Sequence, residues 1–255
     1  MKNYFDFKNK NVLILGASSG FGRVYSKVMY GLGANVLSIA RNFQRLKSLK
    51  KECEEESYNG TINIMKCDIS SNKNVNELIK KIKKNYKFLN IVIYCCGFNV
   101  RQKFVDIKEK DFNKVMSTNY YSAFNIYKKL YPILKKSNYA RVINLTSIFS
   151  TRTIEKRTSY TASKAALLML TKSLALEWCK DNITVNSISP GPFLTEINLP
   201  VLKNKKEYTK MCKKIPLGRF GNVEEIITPM LFLASENSSY VNGSEIFVDG
   251  GWTVS

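Results

Sequence analysis

The residues of this chain best suited to chemistry are Tyr160 and Lys164, four positions apart, with Ser147 thirteen residues upstream. Residues four apart lie on one face of a helix, and strong helix formers follow Lys164, so we expect the ammonium close to the phenol oxygen. A free tyrosine has a pKa of about 10, and a neighbouring cation lowers it. The pair therefore predicts a general acid/base, with Ser147 donating a hydrogen bond to a reacting carbonyl oxygen. The plain alternative is a helix with a solvated lysine, because this spacing is common.

A glycine-rich turn near the start of the chain strengthens the chemical interpretation. Residues 11–15 form a short apolar run typical of a buried strand, and Gly16, Gly20 and Gly22 follow it before a helix-like stretch. Strand, glycine turn and helix in that order place a helix N-terminus where it can bind a phosphate. The spacing is Gly-x-x-x-Gly-x-Gly rather than the familiar Gly-x-Gly-x-x-Gly, so an ordinary turn stays open as an alternative.

The end of the second strand indicates which dinucleotide binds. An NAD site usually has an Asp or Glu there for the ribose 2′-hydroxyl. Here Ala40 ends the strand and Arg41 follows, and a guanidinium can pair with a 2′-phosphate. We therefore expect NADP(H) rather than NAD(H), unless Arg41 is only a solvated loop residue.

The elements that must position these residues alternate along the chain. This alternation predicts an α/β fold, a doubly wound Rossmann-type parallel sheet of about seven strands with helices on both faces, in one domain spanning residues 1–255. Pro190, Gly191, Pro192 and Pro200 indicate a loop rather than regular structure. Strands are expected near 11–15, 35–40, 61–66, 89–95, 140–146, 183–188 and 244–249. Helices are expected near 20–32, 42–57, 71–86, 108–136, 158–180 and 222–235.

Composition limits the other classes of function. No stretch reaches 18 apolar residues, so no membrane span or membrane partner is predicted. The six cysteines have no zinc-site or disulfide spacing and there is no histidine, so we expect no metal, reduced thiols and a cytoplasmic location. The N-terminal residues lack the apolar core of a signal peptide. The net charge of +20 raises the question of nucleic-acid binding, but the lysines are spread along the chain without a recognisable motif, and no nucleic-acid partner is expected.

Taken together, the motifs resemble those of the classical short-chain dehydrogenases/reductases, from about Lys10 to Trp252. The resemblance rests on a series of motifs in the family's order. These are Gly16, Gly20, Gly22, Asp68, Gly97, Asn119, Ser147, Tyr160, Lys164, Pro190, Gly191 and Thr195.

The sequence departs from the family pattern in two motifs. Leu15 replaces a common threonine, and Tyr94-Cys95-Cys96-Gly97 replaces Asn-Asn-Ala-Gly. The family's polar side chains there mainly support the sheet, so these changes affect local hydrogen bonding more than chemistry.

The resemblance implies hydride transfer between a nicotinamide and a carbonyl or carbinol carbon. Tyr160 then exchanges the hydroxyl proton, Lys164 lowers its pKa and holds the nicotinamide ribose, and Ser147 orients the substrate oxygen. Asn119 holds a water that links Lys164 to solvent. The implied catalytic residues are Asn119, Ser147, Tyr160 and Lys164. The implied cofactor-binding residues are Gly16, Ser18, Ser19, Gly20, Phe21, Gly22, Arg41, Asp68, Ile69, Cys95, Gly97, Asn119, Tyr160, Lys164, Pro190, Gly191, Phe193 and Thr195.

The loops expected around the substrate are basic. Arg101 and Arg152 are assigned to substrate binding beside Ser147 and Tyr160, and Arg157 is a further basic residue of this region. The segment 192–221, which covers the substrate in the family, contains six lysines between positions 201 and 214 against one acid, Glu207. Such a surface should attract an anionic small molecule, although it is also consistent with a solvated face of a lysine-rich protein.

Local likenesses suggest the kind of substrate. Residues 215–221 and 248–253, with the spacing from Gly97 to Arg101, are similar to family members that act on sugar acids such as keto-gluconates. The alternatives are a 3-oxoacyl carrier-protein reductase and, in a different class, a non-catalytic nucleotide- or nucleic-acid-binding protein on the same fold. The family resemblance also implies a homotetramer.

Overall fold

A single parallel sheet organises the computed structural model, which describes residues 4–56 and 58–255. In this part of the chain seven strands lie in the order β3-β2-β1-β4-β5-β6-β7. All of them are parallel, and the chain adds β2 and β3 on one side of β1 and β4 to β7 on the other, as in a doubly wound fold. The strands are β1 Asn11–Leu15, β2 Asn35–Ala40, β3 Thr61–Lys66, β4 Ile91–Tyr94, β5 Ala140–Leu145, β6 Ile183–Pro190 and β7 Glu245–Val248.

Helices cover both faces of the sheet. They are α1 Gly20–Gly31, α2 Phe43–Glu55, α3 Asn72–Asn85, α4 Glu109–Met116, α5 Ser122–Leu134, α6 Thr158–Trp178, α7 Leu199–Leu202, α8 Lys205–Cys212 and α9 Ile227–Ala234. Apolar residues of α1, α2 and α9 pack on one face, and those of α3, α5 and α6 pack on the other. The predicted fold is therefore confirmed, and the predicted bounds of β1, β2 and β3 are those observed. The expected end of the second helix at residue 57 lies outside the described residues.

The predicted helix 108–136 is interrupted. A π-helical turn, Ser117–Tyr121, separates α4 from α5. The Ser122 hydroxyl donates to the Ser117 carbonyl at 2.6 Å, and the extra residue turns Asn119 inward until its side chain is buried. Such π-turns often mark functional positions, and hydrophobic periodicity gives no sign of them because the flanking turns remain helical.

The segment after β6 contains regular structure that the sequence did not predict. Helices α7 and α8 stand where a loop was expected, and Pro200 lies in the first turn of α7, which tolerates proline because the N–H there has no helical partner. Val201, Ile215 and Phe220 form a small apolar cluster that packs against Trp252. This cluster seats the segment on the C-terminal end of the chain.

Candidate active site

A cavity of about 750 Å³ opens where the strands end at their carboxyl edge. It lies at the reversal between β1 and β4, where ligands bind in doubly wound sheets. Most of the predicted site residues line it. They are Gly16, Ser18, Ser19, Gly20, Phe21, Arg41, Asp68, Ile69, Cys95, Gly97, Ser147, Tyr160, Lys164, Pro190, Gly191, Phe193 and Thr195.

The glycine turn forms one end of the cavity. Gly16 has φ +89°, and a Cβ there would lie 3.0 Å from the backbone of Cys95 and Cys96, so only glycine fits. Gly22 is not part of the lining; a Cβ at Gly22 would lie 2.4 Å from the Gly16 carbonyl oxygen, so it lets α1 pack against the turn. Ser19, which precedes α1, makes no side-chain capping bond within the described chain. The backbone N–H groups of the first turn therefore remain available to a phosphate, and the cradle fits a dinucleotide.

Two arginines line the cavity after the end of β2, whose Ile39 carbonyl accepts from the N–H groups of Gly16 and Ala17 in the glycine turn. Arg41 is exposed, as a ligand of a ribose 2′-phosphate should be. Arg45, which was not among the predicted site residues, lies one helical turn further on and donates from Nη1 to both carboxylate oxygens of Glu196 at 2.7 Å. This ion pair joins the start of α2 to the segment after β6 across the cavity.

Lys164 is buried and its charge is held by the backbone. Its Nζ donates to the Leu145 carbonyl at 2.6 Å, at the end of β5. Burial lowers the pKa of Lys164 to about 8. The side chain lines the cavity, and its Nζ reaches toward Gly97, where an added Cβ would lie 3.7 Å from Nζ.

Burial raises the pKa of Tyr160 above its ordinary value, and the lowering of that pKa by Lys164 stays a prediction. The Lys164 Nζ lies 5.9 Å from the centre of the Tyr160 ring. A hydrogen bond with Ser147 and the charge of Arg157 both lower the pKa of Tyr160 and partly oppose the effect of burial. Arg157, three positions before the tyrosine, is thus a cation close enough to act on the phenol.

Asn119 lies behind the cavity rather than in its wall. Its Oδ1 accepts from the Phe98 N–H at 2.7 Å, and its Nδ2 donates to the Phe98 carbonyl and the Ser163 hydroxyl, both at 2.9 Å. Thr118, its neighbour in the π-turn, does line the cavity. The side chain of Asn119 thus fastens the loop after β4 to α6, and its role in holding a water stays a prediction.

The cysteines that depart from the family pattern are protonated at neutral pH. Burial raises the pKa of Cys96 to about 12, and that of Cys95 also rises well above its ordinary value. Both line the cavity as neutral side chains. The adjoining Tyr94 ties the end of β4 to the π-turn, since its hydroxyl donates to the Thr118 carbonyl at 2.6 Å.

The structure separates the arginines expected at the substrate end. Arg152 is exposed, lies outside the cavity lining and donates to the Thr253 carbonyl at 2.9 Å, so its predicted substrate role is not supported. Arg101 lies just behind the lining, and its charge is close enough to act on Arg157. Arg157 itself lines the cavity beside Tyr160 and is 7% exposed. The sequence had marked it only as a nearby basic residue.

Comparison with known proteins identifies the class that this fold and site define. A family model described as enoyl-(acyl carrier protein) reductase matches residues 16–253. The chain belongs to the classical short-chain dehydrogenases/reductases, enzymes that use a nicotinamide cofactor and act on CH–OH groups. The predicted family and enzyme class are thereby confirmed over the non-catalytic alternative.

Particular relatives resemble the whole chain. It is 30% identical to gluconate 5-dehydrogenase of Gluconobacter oxydans, with 98% of this chain and 97% of that protein aligned. It is 32% identical to 3-oxoacyl-[acyl-carrier-protein] reductase of Rickettsia felis, over 96% of this chain and 98% of the relative. The crystal structure of a gluconate 5-dehydrogenase from Burkholderia cenocepacia, in complex with NADP and tartrate, superposes with a TM-score of 0.92 at 26% identity, covering 99% of this chain and 98% of that one.

Among the described residues no helix is long and apolar enough to cross a membrane. Within the same residues no group of three or more His, Cys, Asp or Glu side chains could hold a metal ion.

Proposed function

We propose that this enzyme interconverts a keto sugar acid and the corresponding hydroxy acid with NADP(H). The observation that carries the proposal is the set of Ser147, Tyr160 and Lys164 at a cavity whose substrate end is basic. Likeness to gluconate 5-dehydrogenases supports the choice of a sugar acid. The bound nicotinamide supplies or accepts the hydride.

In this proposal the chain moves the proton and orients the substrate. Tyr160 is protonated at neutral pH, as its raised pKa requires, and it donates to the carbonyl oxygen during reduction. Ser147 already hydrogen-bonds Tyr160 and holds the same oxygen. Lys164, which lines the cavity, would hold the nicotinamide ribose, and Asn119 keeps the loop after β4 against α6.

The preference for NADP(H) is supported by the charge at the end of β2. Arg41 and Arg45 line this end of the cavity, where an NAD enzyme usually has a carboxylate. The Burkholderia cenocepacia structure is a complex with NADP. Measurement of Kd for NADPH and NADH tests this part alone, and equal values would overturn it.

The reaction is tested by following NADPH absorbance with 5-keto-gluconate. We expect turnover that Tyr160→Phe abolishes, because phenylalanine keeps the ring and removes only the proton donor. Tyr240→Phe is the matched control, since Tyr240 is a fully exposed tyrosine outside the cavity lining. Activity that survives Tyr160→Phe would overturn the assigned chemistry.

A second candidate is 3-oxoacyl carrier-protein reduction. It is favoured by the similarity to the Rickettsia felis reductase, and acidic carrier proteins suit a basic surface. Turnover of acetoacetyl thioesters without turnover of keto acids would select it.

The remaining expectations are proposals about the whole enzyme. Segment 192–221 is proposed to cover the substrate, and a cytoplasmic location stays a prediction.

The proposed homotetramer has an exposed apolar surface on two helices. Tyr121 and Phe124 near α5, with Met169 and Leu176 on α6, are exposed and supply this surface. We expect a tetramer by light scattering and smaller species for Leu176→Glu, whereas Leu217→Glu, at an exposed leucine near the end of segment 192–221, should leave the tetramer intact. A monomeric wild-type protein would overturn this assembly.

A further inference from the structure

Arg157 carries a buried charge that the protein does not neutralise. The residue is 7% exposed and lines the cavity with Ser147, Tyr160 and Asn99. Its Nη1 is buried and has no hydrogen-bond partner among residues 4–56 and 58–255. An unpaired guanidinium nitrogen away from water is costly, so its presence calls for a ligand.

A second guanidinium stands next to it in the same condition. The Nη2 of Arg101 is buried and, in the described part of the chain, also lacks a partner. Burial lowers the pKa of Arg157 to about 10, and the nearby charge of Arg101 contributes a smaller part of this decrease. Each of two neighbouring cations disfavours the charged form of the other, and one anion bound between them stabilises both charges.

Arg141 shows how this chain satisfies an arginine that only supports the fold. It is 2% exposed, and its guanidinium donates to the backbone carbonyls of Ser235, Ala140 and Glu236 at 2.9–3.0 Å. Arg157 has comparable burial, yet its Nη1 meets no such acceptor within the described residues. The difference separates a binding role from a structural one.

Among the described residues, no acidic side chain forms an ion pair with Arg101 or Arg157. Glu207 on α8 is the acid whose charge acts on Arg101. No ion pair within 4.0 Å involves Arg101 or Arg157 in the part of the chain described. The acceptors Asn99 Oδ1 and Gln102 Oε1 are likewise buried without donors among those residues. Guanidinium nitrogens without acceptors and amide oxygens without donors therefore occur near the substrate end. Arg157 lies at the start of α6, and Asn99, Arg101 and Gln102 lie in the loop after β4.

We propose that Arg157, assisted by Arg101, binds the carboxylate of a hydroxylated keto acid whose carbonyl is held by Ser147 and Tyr160. A guanidinium fork matches a carboxylate in shape and charge. The oxygen of Asn99, which lines the cavity, accepts a hydrogen bond from a substrate hydroxyl group. The inference rests on the proposed function, and it assigns the specificity for acids to Arg157 rather than to Arg152.

The test compares an acid and a neutral ketose in matched variants. Arg157→Met keeps much of the side-chain length and removes the charge, Arg157→Lys keeps the charge, and Arg152→Met removes a surface arginine five positions away. For 5-keto-gluconate we expect Arg157→Met to lower kcat/KM by about 100-fold, mainly through KM, because charged hydrogen bonds are lost. Turnover of the neutral ketose L-sorbose should change by less than about threefold. Arg157→Lys should recover part of the loss, and Arg152→Met should change neither substrate by more than about twofold.

A binding measurement keeps the inference independent of turnover. Titration of tartrate into NADP-loaded protein by calorimetry should give heat with the wild type and Arg152→Met but none with Arg157→Met. Equal losses for the acid and the ketose, or tartrate binding unchanged by Arg157→Met, would overturn the carboxylate site. Binding that depends on Arg157 without turnover of any keto acid would retain the site and reject the proposed substrate. If Arg157→Met does not fold, Arg101→Met and Arg157→Lys carry the same comparison.

Discussion

Lys164 donates a hydrogen bond to the Leu145 carbonyl at 2.6 Å, while its Nζ lies 5.9 Å from the centre of the Tyr160 ring. The lysine is thus held by the end of β5 in the wall of the cavity, and Ser147 and Arg157 act on the pKa of the tyrosine. The two residues share a helix but have different electrostatic surroundings. Their titration should therefore be separable.

The buried Lys164 should make the stability of the cofactor-free protein depend on pH. Its folded pKa is about 8, below the ordinary 10.5, so between these values the unfolded chain binds more protons. The contribution of Lys164 to stability should rise with pH through this window, by up to about 3 kcal/mol, while the raised pKa values of Cys95 and Cys96 act in the opposite direction in the wild type and the variant alike. Chemical denaturation at pH 7.5, 8.5 and 9.5 measures the rise, and Lys164→Met should lack this component. A wild-type slope equal to that of the variant would contradict the assignment.

The Tyr94 hydroxyl should support the catalytic loop from within the core. It is buried and donates to the Thr118 carbonyl at 2.6 Å, next to Asn119 in the π-turn. Tyr94→Phe leaves that carbonyl without this donor, and we expect a loss of about 1–2 kcal/mol in the free energy of unfolding. We also expect lower kcat, because the π-turn holds Asn119 against α6. Tyr4→Phe, at an exposed tyrosine, is the control for both measurements. Normal kcat in a destabilised Tyr94→Phe would limit the hydroxyl to a structural role.

Arg45 should exchange Glu196 for the 2′-phosphate of NADPH. The pair is exposed, so it adds little stability and can break. Arg41→Met and Arg45→Met should each raise Kd for NADPH by about 5–10-fold and change Kd for NADH by less than about twofold. Glu196→Gln releases Arg45 and should tighten NADPH binding slightly. Fluorescence titration measures Kd for both cofactors. Equal increases in Kd for NADPH and NADH would show that Arg45 does not bind the 2′-phosphate and only maintains the structure of the site.

Gly22 should be irreplaceable even by alanine. A Cβ there would lie 2.4 Å from the Gly16 carbonyl oxygen, so α1 or the turn must shift and the phosphate cradle with it. We expect Gly22→Ala to abolish measurable NADPH binding. Gly31→Ala is the matched control in the same helix, because among the described residues its Cβ would meet Tyr58 at an ordinary contact distance of 3.6 Å, and alanine favours helix. Calorimetric titration with NADPH compares the two, and normal affinity in Gly22→Ala would show that the cradle tolerates the shift.

The segments of this fold and the core of its site were predictable because their signals are local. A strand, glycine turn and helix between residues 11 and 32 follow from neighbouring residues, and so do the bounds of β1, β2 and β3. The spacing of Ser147, Tyr160 and Lys164 likewise indicated the chemistry. Local sequence did not reveal the π-turn at Asn119, because that turn depends on bonds to Phe98 and Ser163, which belong to other segments.

Tertiary structure decided the electrostatics and the specificity. Arg152 and Arg157 are equivalent on a sequence basis, yet packing exposes one to solvent and buries the other beside Tyr160. Arg101 reaches Arg157, and Arg45 reaches Glu196, only because distant loops meet at one edge of the sheet. The sequence alone determined which groups this protein has and where its strands and most of its helices lie. The pKa of a side chain and its partners depend on burial and on long-range contacts, and those exist only in the folded chain.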